Sequence, residues 1–391
     1  MRHYLDHAAT TPLRPEARAA WLDASETVGN ASSTHGAGQD ARRLLEESRE
    51  RVAAVLGADP IEIVFTSGGT ESINLALQGM WRSRPTGTAA VVMPEAEHHA
   101  TMDTVSALLD DGAELRRVPV TAHARIDPEV FAARLPGAAL ATALVANNEA
   151  GTINPAAMLA RYAAIARVPL HLDAVAALGH VPVSFRSMRG DVADGVGLVA
   201  MSLAGHKIGA PVGVGVLVAA RTARITALLR GGAQQRGLRA GTQDVPGAAA
   251  FATAVELAET EREQEAARLA GLRDRLITGI RSAVPSAVLL GDPIERLPGN
   301  AHVLFPGAVG ESLLFLLDVA GVAASTGSAC QAGVAEPSHV VMAMGRSERE
   351  ARSVLRFSLG RTSTAADVDA VLAVIADAYA RASGAGTGTR S

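Results

Sequence analysis

Between residues 60 and 220 the chain alternates short apolar runs with segments of helical spacing. That alternation restricts the fold more than any other feature. Segments 61–65, 89–93, 115–120, 139–146, 170–173, 195–200 and 214–219 predict strands. Helices are predicted around 99–109, 128–135 and 155–166. Strands joined through helices imply crossover connections, hence a mainly parallel sheet with helices on both faces. In such sheets chemistry collects beyond the carboxyl ends of the strands.

The pattern changes at 246–282, an Ala-, Glu- and Arg-rich stretch in which Leu269, Leu272, Leu276 and Ile280 form one helical stripe. Beyond it, strands at 288–290, 301–305 and 353–358 mix with helices at 311–320, 337–344 and 365–382, which predicts a smaller α+β domain. The Gly/Thr/Ser-rich tail 383–391 predicts a frayed end. A length of 391 residues suits two to three domains at about 150 residues each. The net charge of −4 offers no basic surplus for a phosphate backbone and argues against nucleic acid as a partner. No apolar run reaches the ~18 residues of a membrane span, and the first residues lack a signal-peptide core. One cysteine, Cys330, forms no internal disulfide, which fits a reducing cytoplasm.

Lys207 is the only lysine among 36 basic residues. Codon bias explains the loss of surface lysines, which arginine replaces at little cost. A position that keeps lysine is a candidate for chemistry that a guanidinium cannot do, such as a Schiff base. Its setting supports that reading: Gly205-His206-Lys207 runs into the Gly/Pro-rich turn 209–213 and an apolar strand, crowded ground for a solvated charge. Cys330 lies among Gly, Ser and Ala without bulky apolar neighbours, as an accessible, reactive thiol would. The turn 66–72, Thr-Ser-Gly-Gly-Thr-Glu-Ser, sits between a strand and a helix, where free N–H groups either hold a phosphate or form an ordinary cap. Asp173 ends a strand and either caps a helix or faces a buried heterocyclic nitrogen. His98 and His99 follow another strand; spacing alone does not choose between them as a partner for a flat cofactor. Of the 11 histidines only His3 and His7 are four residues apart, and no cysteine pair or further histidine pair accompanies them, so no metal is expected.

Read together, these segments resemble the cysteine desulfurases of the NifS/IscS type, in the class V aminotransferase group of pyridoxal-phosphate enzymes. The resemblance runs from Tyr4-Leu5-Asp6-His7-Ala8-Ala9-Thr10-Thr11-Pro12 to Arg356-Phe357-Ser358-Leu359-Gly360. Between them fall 29–35, 68–72, 97–99, Asn147–Thr152, 205–207, 236–242 and Gly327-Ser328-Ala329-Cys330. It implies the fold type I architecture of pyridoxal-phosphate transferases: a seven-stranded, mainly parallel sheet in a cofactor-binding domain (13–255). A small domain (1–12 and 256–391) would carry the catalytic Cys loop.

The resemblance further implies a homodimer with a shared active site. Lys207 would form a Schiff base with pyridoxal 5'-phosphate and act as the base. Asp173 would keep the pyridine nitrogen protonated, and His98 would stack on the ring and shuttle protons. Gly69, Thr70 and His206 would hold the phosphate, with Thr242 supplied by the partner subunit. Asn148 would lie beside cofactor and substrate, Arg356 would clamp the carboxylate of L-cysteine, and Cys330 would take the sulfur as a persulfide for an acceptor protein. Iron–sulfur clusters, thiolated tRNA and phosphorothioate DNA are the implied destinations. The competing readings are a selenocysteine lyase or other class V enzyme, and a non-catalytic paralogue acting as a scaffold. Three departures stand out. Ala176 replaces a Gln that bonds the ring hydroxyl, Ala204 replaces a phosphate-binding Ser or Thr, and Gly-Gly-Ala-Gln-Gln-Arg (231–236) replaces Gly-Gly-Gly-Gln-Glu-Arg. Looser cofactor retention is the expected consequence.

Overall fold

The computed structural model describes residues 2–192, 194–327 and 336–384. Cys330 and most of the predicted frayed tail lie outside the described residues. The strands are β1 (His3–Tyr4), β2 (Ile63–Thr66), β3 (Ala90–Pro94), β4 (Glu114–Val118), β5 (Ala138–Leu144), β6 (Pro169–Asp173), β7 (Gly197–Ala204), β8 (Gly215–Ala219), β9 (Val288–Leu290), β10 (Asn300–Leu304), β11 (Val322–Ala323) and β12 (Val354–Ser358). Seven of them form one sheet in the order β2-β8-β7-β6-β5-β3-β4. Only β8 runs against the rest, pairing antiparallel with β2 and β7. The expected fold is therefore the observed one.

β5, β7 and β8 are buried along their whole length, as strands covered on both faces must be. Their small residues, such as Ala138, Ala139, Ala141 and Ala143, let helices approach closely. The first predicted strand starts two residues late, because Pro60–Glu62 forms a single helical turn that Asp59 and Glu62 cap reciprocally. The strand predicted at 195–200 runs on to Ala204, which carries the sheet directly to Gly205-His206-Lys207.

The helix Val245–Ala283 is 39 residues long. Its first part packs into the core around the large sheet, whereas Leu269, Leu276 and Ile280 join a separate apolar cluster with Leu5, Phe305, Leu355 and Phe357. That second cluster surrounds the three-stranded sheet β12-β10-β9 and the pair β1-β11. Both ends of the chain meet there: His3 and Tyr4 pair with Val322 and Ala323, and Asp6 bridges to Ser358. Two helices near the start, Pro15–Ser25 and Gly36–Leu56, pack on the long helix and had no counterpart in the predicted elements. No helix among the described residues is long and apolar enough to cross a membrane.

Candidate active site

Five strands of the large sheet deliver side chains to one cavity of about 380 Å³ at their carboxyl ends. After β2 comes the helix Gly69–Arg82, whose first residues, Gly69 and Thr70, line the cavity with free N–H groups. β3 leads to His98, β5 to Asn148, β6 ends on Asp173, and β7 leads to the helical turn Gly205–Lys207. His98, Asn148, Asp173, His206 and Lys207 all border the cavity. Gly205 is required locally: a Cβ there would lie within 3.0 Å of Phe251 and Val214 and 2.9 Å of Ala210. That close packing turns the chain and aims the lysine inward.

Burial sets the charges. Lys207 is pulled down to about 8, first by desolvation and then by the Arg356 charge. Its Nζ donates to the carbonyls of Ala8 and Ala9, the latter at 3.0 Å. Asp173 is 2 % exposed and is pushed up to about 6 by desolvation, with the Val175 N–H bond (2.9 Å) and Lys207 opposing. His98 caps the helix His99–Asp110: its Nδ1 accepts from the Ala100 N–H at 3.0 Å, so a neutral ring carries its proton on Nε2. Desolvation, then Lys207, lowers it to about 4, which keeps the ring neutral near pH 7. His99 borders the same cavity but packs edge-on against His339 at 4.9 Å. His206 faces Thr10 Oγ1 at 3.3 Å, and burial lowers it to about 4.

The opposite wall contains Ala8, Ala9, Ser325, Gly327 and Arg356. Arg356 is buried; its Nη2 donates to Asp6 at 2.8 Å and its Nη1 to the Asn148 carbonyl at 2.9 Å, while Nε has no partner. Thr242 is not brought to the cavity of its own chain; it lies exposed before the long helix. Ala176 and Ala204 both line the cavity, presenting methyl groups where hydrogen-bonding side chains were implied.

Sequence reasoning assigned no role to Asp6 or Glu97. Asp6 gives no local signal, since its partner is 350 residues away. Glu97 is fully buried, accepts the Leu144 N–H at 2.9 Å with Oε1 and leaves Oε2 unpartnered. Desolvation pushes it up to about 8, so it holds a proton at neutral pH. Leu144 pairs in register with Asp173, which places this neutral acid behind the ionisable one. An acidic residue directly before His98-His99 was the only available hint. Among the described residues no group of three or more His, Cys, Asp or Glu side chains is arranged to hold a metal ion.

A strand-end lysine, a buried carboxylate and a helix N-terminus around one cavity define a class, and comparison with known proteins agrees: the chain belongs to the class-V aminotransferase family, whose model matches residues 3–371. A more particular likeness follows within that family. The chain is 46 % identical over 388 residues to the IscS-like cysteine desulfurase of Mycobacterium tuberculosis, covering 97 % of this chain and 96 % of that one. Among solved structures, a NifS-like protein matches with a TM-score of 0.88 at 32 % identity, covering 96 % of this chain and 99 % of the other. SspA in complex with cysteine matches with a TM-score of 0.79 at 28 % identity, covering 92 % and 99 %.

Proposed function

We propose that this chain is a pyridoxal-phosphate-dependent cysteine desulfurase that converts L-cysteine to L-alanine and passes the sulfur to Cys330. One observation carries the reading: the chain's sole lysine, half-buried, borders the same cavity as a buried carboxylate, Asp173, and a buried arginine, Arg356. The donor set fits the cofactor. Asp173 suits a protonated pyridine nitrogen, and the N-terminus of the helix Gly69–Arg82 with Thr70 and His206 suits a phosphate. Bound there, pyridoxal phosphate supplies an electron sink for bonds at the amino-bearing carbon. Ala176 and Ala204 add no donors, so retention through dialysis is expected to be weak.

The chain's own groups then divide the work. Arg356 and Asn148 orient the substrate carboxylate. The Lys207 amine, held partly neutral by desolvation, takes the proton from Cα and later delivers a proton back. Asp173 would keep the proton on the pyridine nitrogen, and the neutral His98, its Nδ1 occupied by the Ala100 N–H, would offer Nε2–H within the same cavity. The Cys330 thiolate attacks the substrate sulfur; an S–S bond forms, the Cβ–S bond breaks, and the carbon left behind takes a proton to give alanine. Gly327, three residues earlier, already lines the cavity, which supports a thiol within reach.

The exposed Thr242 supports a homodimer in which this residue serves the partner's cavity. The separate apolar clusters support a division into residues 13–255 and 1–12 with 256–391. A sulfur-acceptor protein and a cytoplasmic setting complete the proposal. The test is alanine and sulfide release from L-cysteine with added cofactor. Native protein should show a visible cofactor band and turnover; Lys207→Ala should lose both, and Cys330→Ser should lose turnover alone. A Cys330→Ser variant as fast as native would overturn the persulfide route.

A further inference from the structure

Lys207 borders two further cavities besides the one that fits cofactor and substrate. The second, of about 40 Å³, shares Ala8, Asn148, Val175, Ala176 and Lys207 with the first, and adds His7 and His180. The third, of about 50 Å³, is bordered again by Lys207, His7 and His180 and reaches Glu261, Glu265 and Arg361. Glu261 is 39 % exposed, so this end meets solvent. Each small cavity exceeds the ~10–15 Å³ that one water needs, and each has polar lining. Ala176 opens the first of them, because a longer side chain would fill the space that it shares with the main cavity.

The two histidines are suited to carry protons. At the left-handed turn of Gly179 (φ 75°) a Cβ would lie 3.1 Å from both Ile208 and Ala258, so the turn packs close to the residue after Lys207, and His180 borders both small cavities with the lysine. His7 Nδ1 faces Thr11 Oγ1 at 2.7 Å and its Nε2 faces Ser363 Oγ at 3.3 Å. Hydroxyls donate or accept by rotating, so the His7 ring changes tautomer without losing a partner. Burial lowers both histidines to about 4 and keeps them neutral near pH 7, and a neutral relay does not repel the lysine ammonium. The charges that act most on Lys207 lie elsewhere: Arg356 and Asp173 line the main cavity and Asp6 pairs with Arg356, while Arg14, Glu261, Glu265 and Arg361 border the outer small cavity.

We propose that His180 and His7 form a proton relay behind Lys207, exchanging the proton that Lys207 takes from substrate with solvent. The inference rests on Lys207 being the base. As the Cα–H bond breaks, Nζ gains the proton. Nζ then passes a proton through water to one ring nitrogen of His180, while the other ring nitrogen releases one toward His7 and the outer cavity. The reverse sequence returns a solvent proton, so no net charge accumulates.

The experiment converts unlabelled L-cysteine in D₂O with the holoenzyme and measures deuterium at Cα of the alanine. Native enzyme should give mostly α-deuterated alanine, and His180→Leu should retain the original proton several-fold more often. A second readout needs no turnover. Because the chain has one lysine, [ζ-¹⁵N]lysine labels Lys207 alone, and exchange of its Nζ protons with water should slow in cofactor-free His180→Leu. His7→Asn, at the outer end, should slow it too and carries the test should His180→Leu fail to fold. Unchanged isotope ratio and unchanged exchange in a folded variant would overturn the relay. Absence of any alanine from native enzyme would instead overturn the functional reading.

Discussion

The wall that carries Thr70, His98, Asp173 and Lys207 comes from the ends of four strands of one sheet, whereas the wall facing it, with Ala8, Ser325 and Arg356, is drawn from the two ends of the chain. On the sheet wall each side chain sits within a few residues of its strand, and desolvation pushes its groups toward neutrality: Lys207 down, Asp173 up, His98 down. On the facing wall an ion pair is kept, Arg356 with Asp6, and the Asp6–Ser358 and Ser325–Arg356 bridges hold it in place. In the proposed reaction the sheet wall supplies the groups that exchange protons, and the facing wall the fixed charge that meets the substrate carboxylate. Chemistry and recognition are separated by how far apart in sequence their parts lie.

Substitutions that attack one wall at a time break this comparison or sharpen it. Lys207→Arg keeps charge and length but cannot deprotonate, and should lower kcat about 10³-fold or more, measured as alanine release. A residual rate near native would mean that the sheet wall does not supply the base. Arg356→Gln should act mainly on binding: losing a charge-assisted carboxylate contact of about 1.5–3 kcal/mol raises KM by about 10- to 100-fold. A fall confined to kcat would erase the proposed division of labour.

Glu97, behind the sheet wall, tests the electrostatics without touching substrate. Its folded value near 8 lies above its ordinary 4.5, so between these pH values the folded chain keeps a proton that the unfolded chain has released. That contribution is complete below about 4.5 and is lost as pH rises through about 8. Glu97→Gln should flatten the decline, seen as a smaller difference between urea midpoints at pH 5 and pH 8. The smallest effect belongs to neither wall. Ala233 holds a left-handed conformation, φ 56°, on the segment leading to Thr242. Ala233→Gly should raise stability by about 0.5–1 kcal/mol, read as a higher urea midpoint, with turnover unchanged.

The large sheet was readable because a strand covered on both faces must be almost wholly apolar, and β5 and β8 follow that rule and fall within two residues of their predicted bounds. Its wall of the cavity was readable for the same reason: Asp173 and Gly205-His206-Lys207 are polar interruptions at the ends of such runs. The helices Pro15–Ser25 and Gly36–Leu56 were not: the first buries only Ala17 and Ala24 and leaves Trp21 and Leu22 exposed, and the buried face of the second includes Gly38, Ser48 and Arg49, so neither shows a clean apolar stripe. Asp6 looked like any acidic residue near a chain end. Glu97 carries no mark of its role in the sequence, because a buried acid differs from a solvated one only in its surroundings.

The order of residues by itself therefore determined the alternating architecture, the unique lysine and thiol, and the strand ends where polar groups collect; these follow from periodicity and composition within short windows. Tertiary structure decided which ionic state each group takes and which distant residue it meets. Lys207 loses its charge readily because the fold removes water from it, and Arg356 finds Asp6 because both termini are tied into neighbouring small sheets. Desolvation and long-range pairing depend on distances in space, which no window of sequence contains.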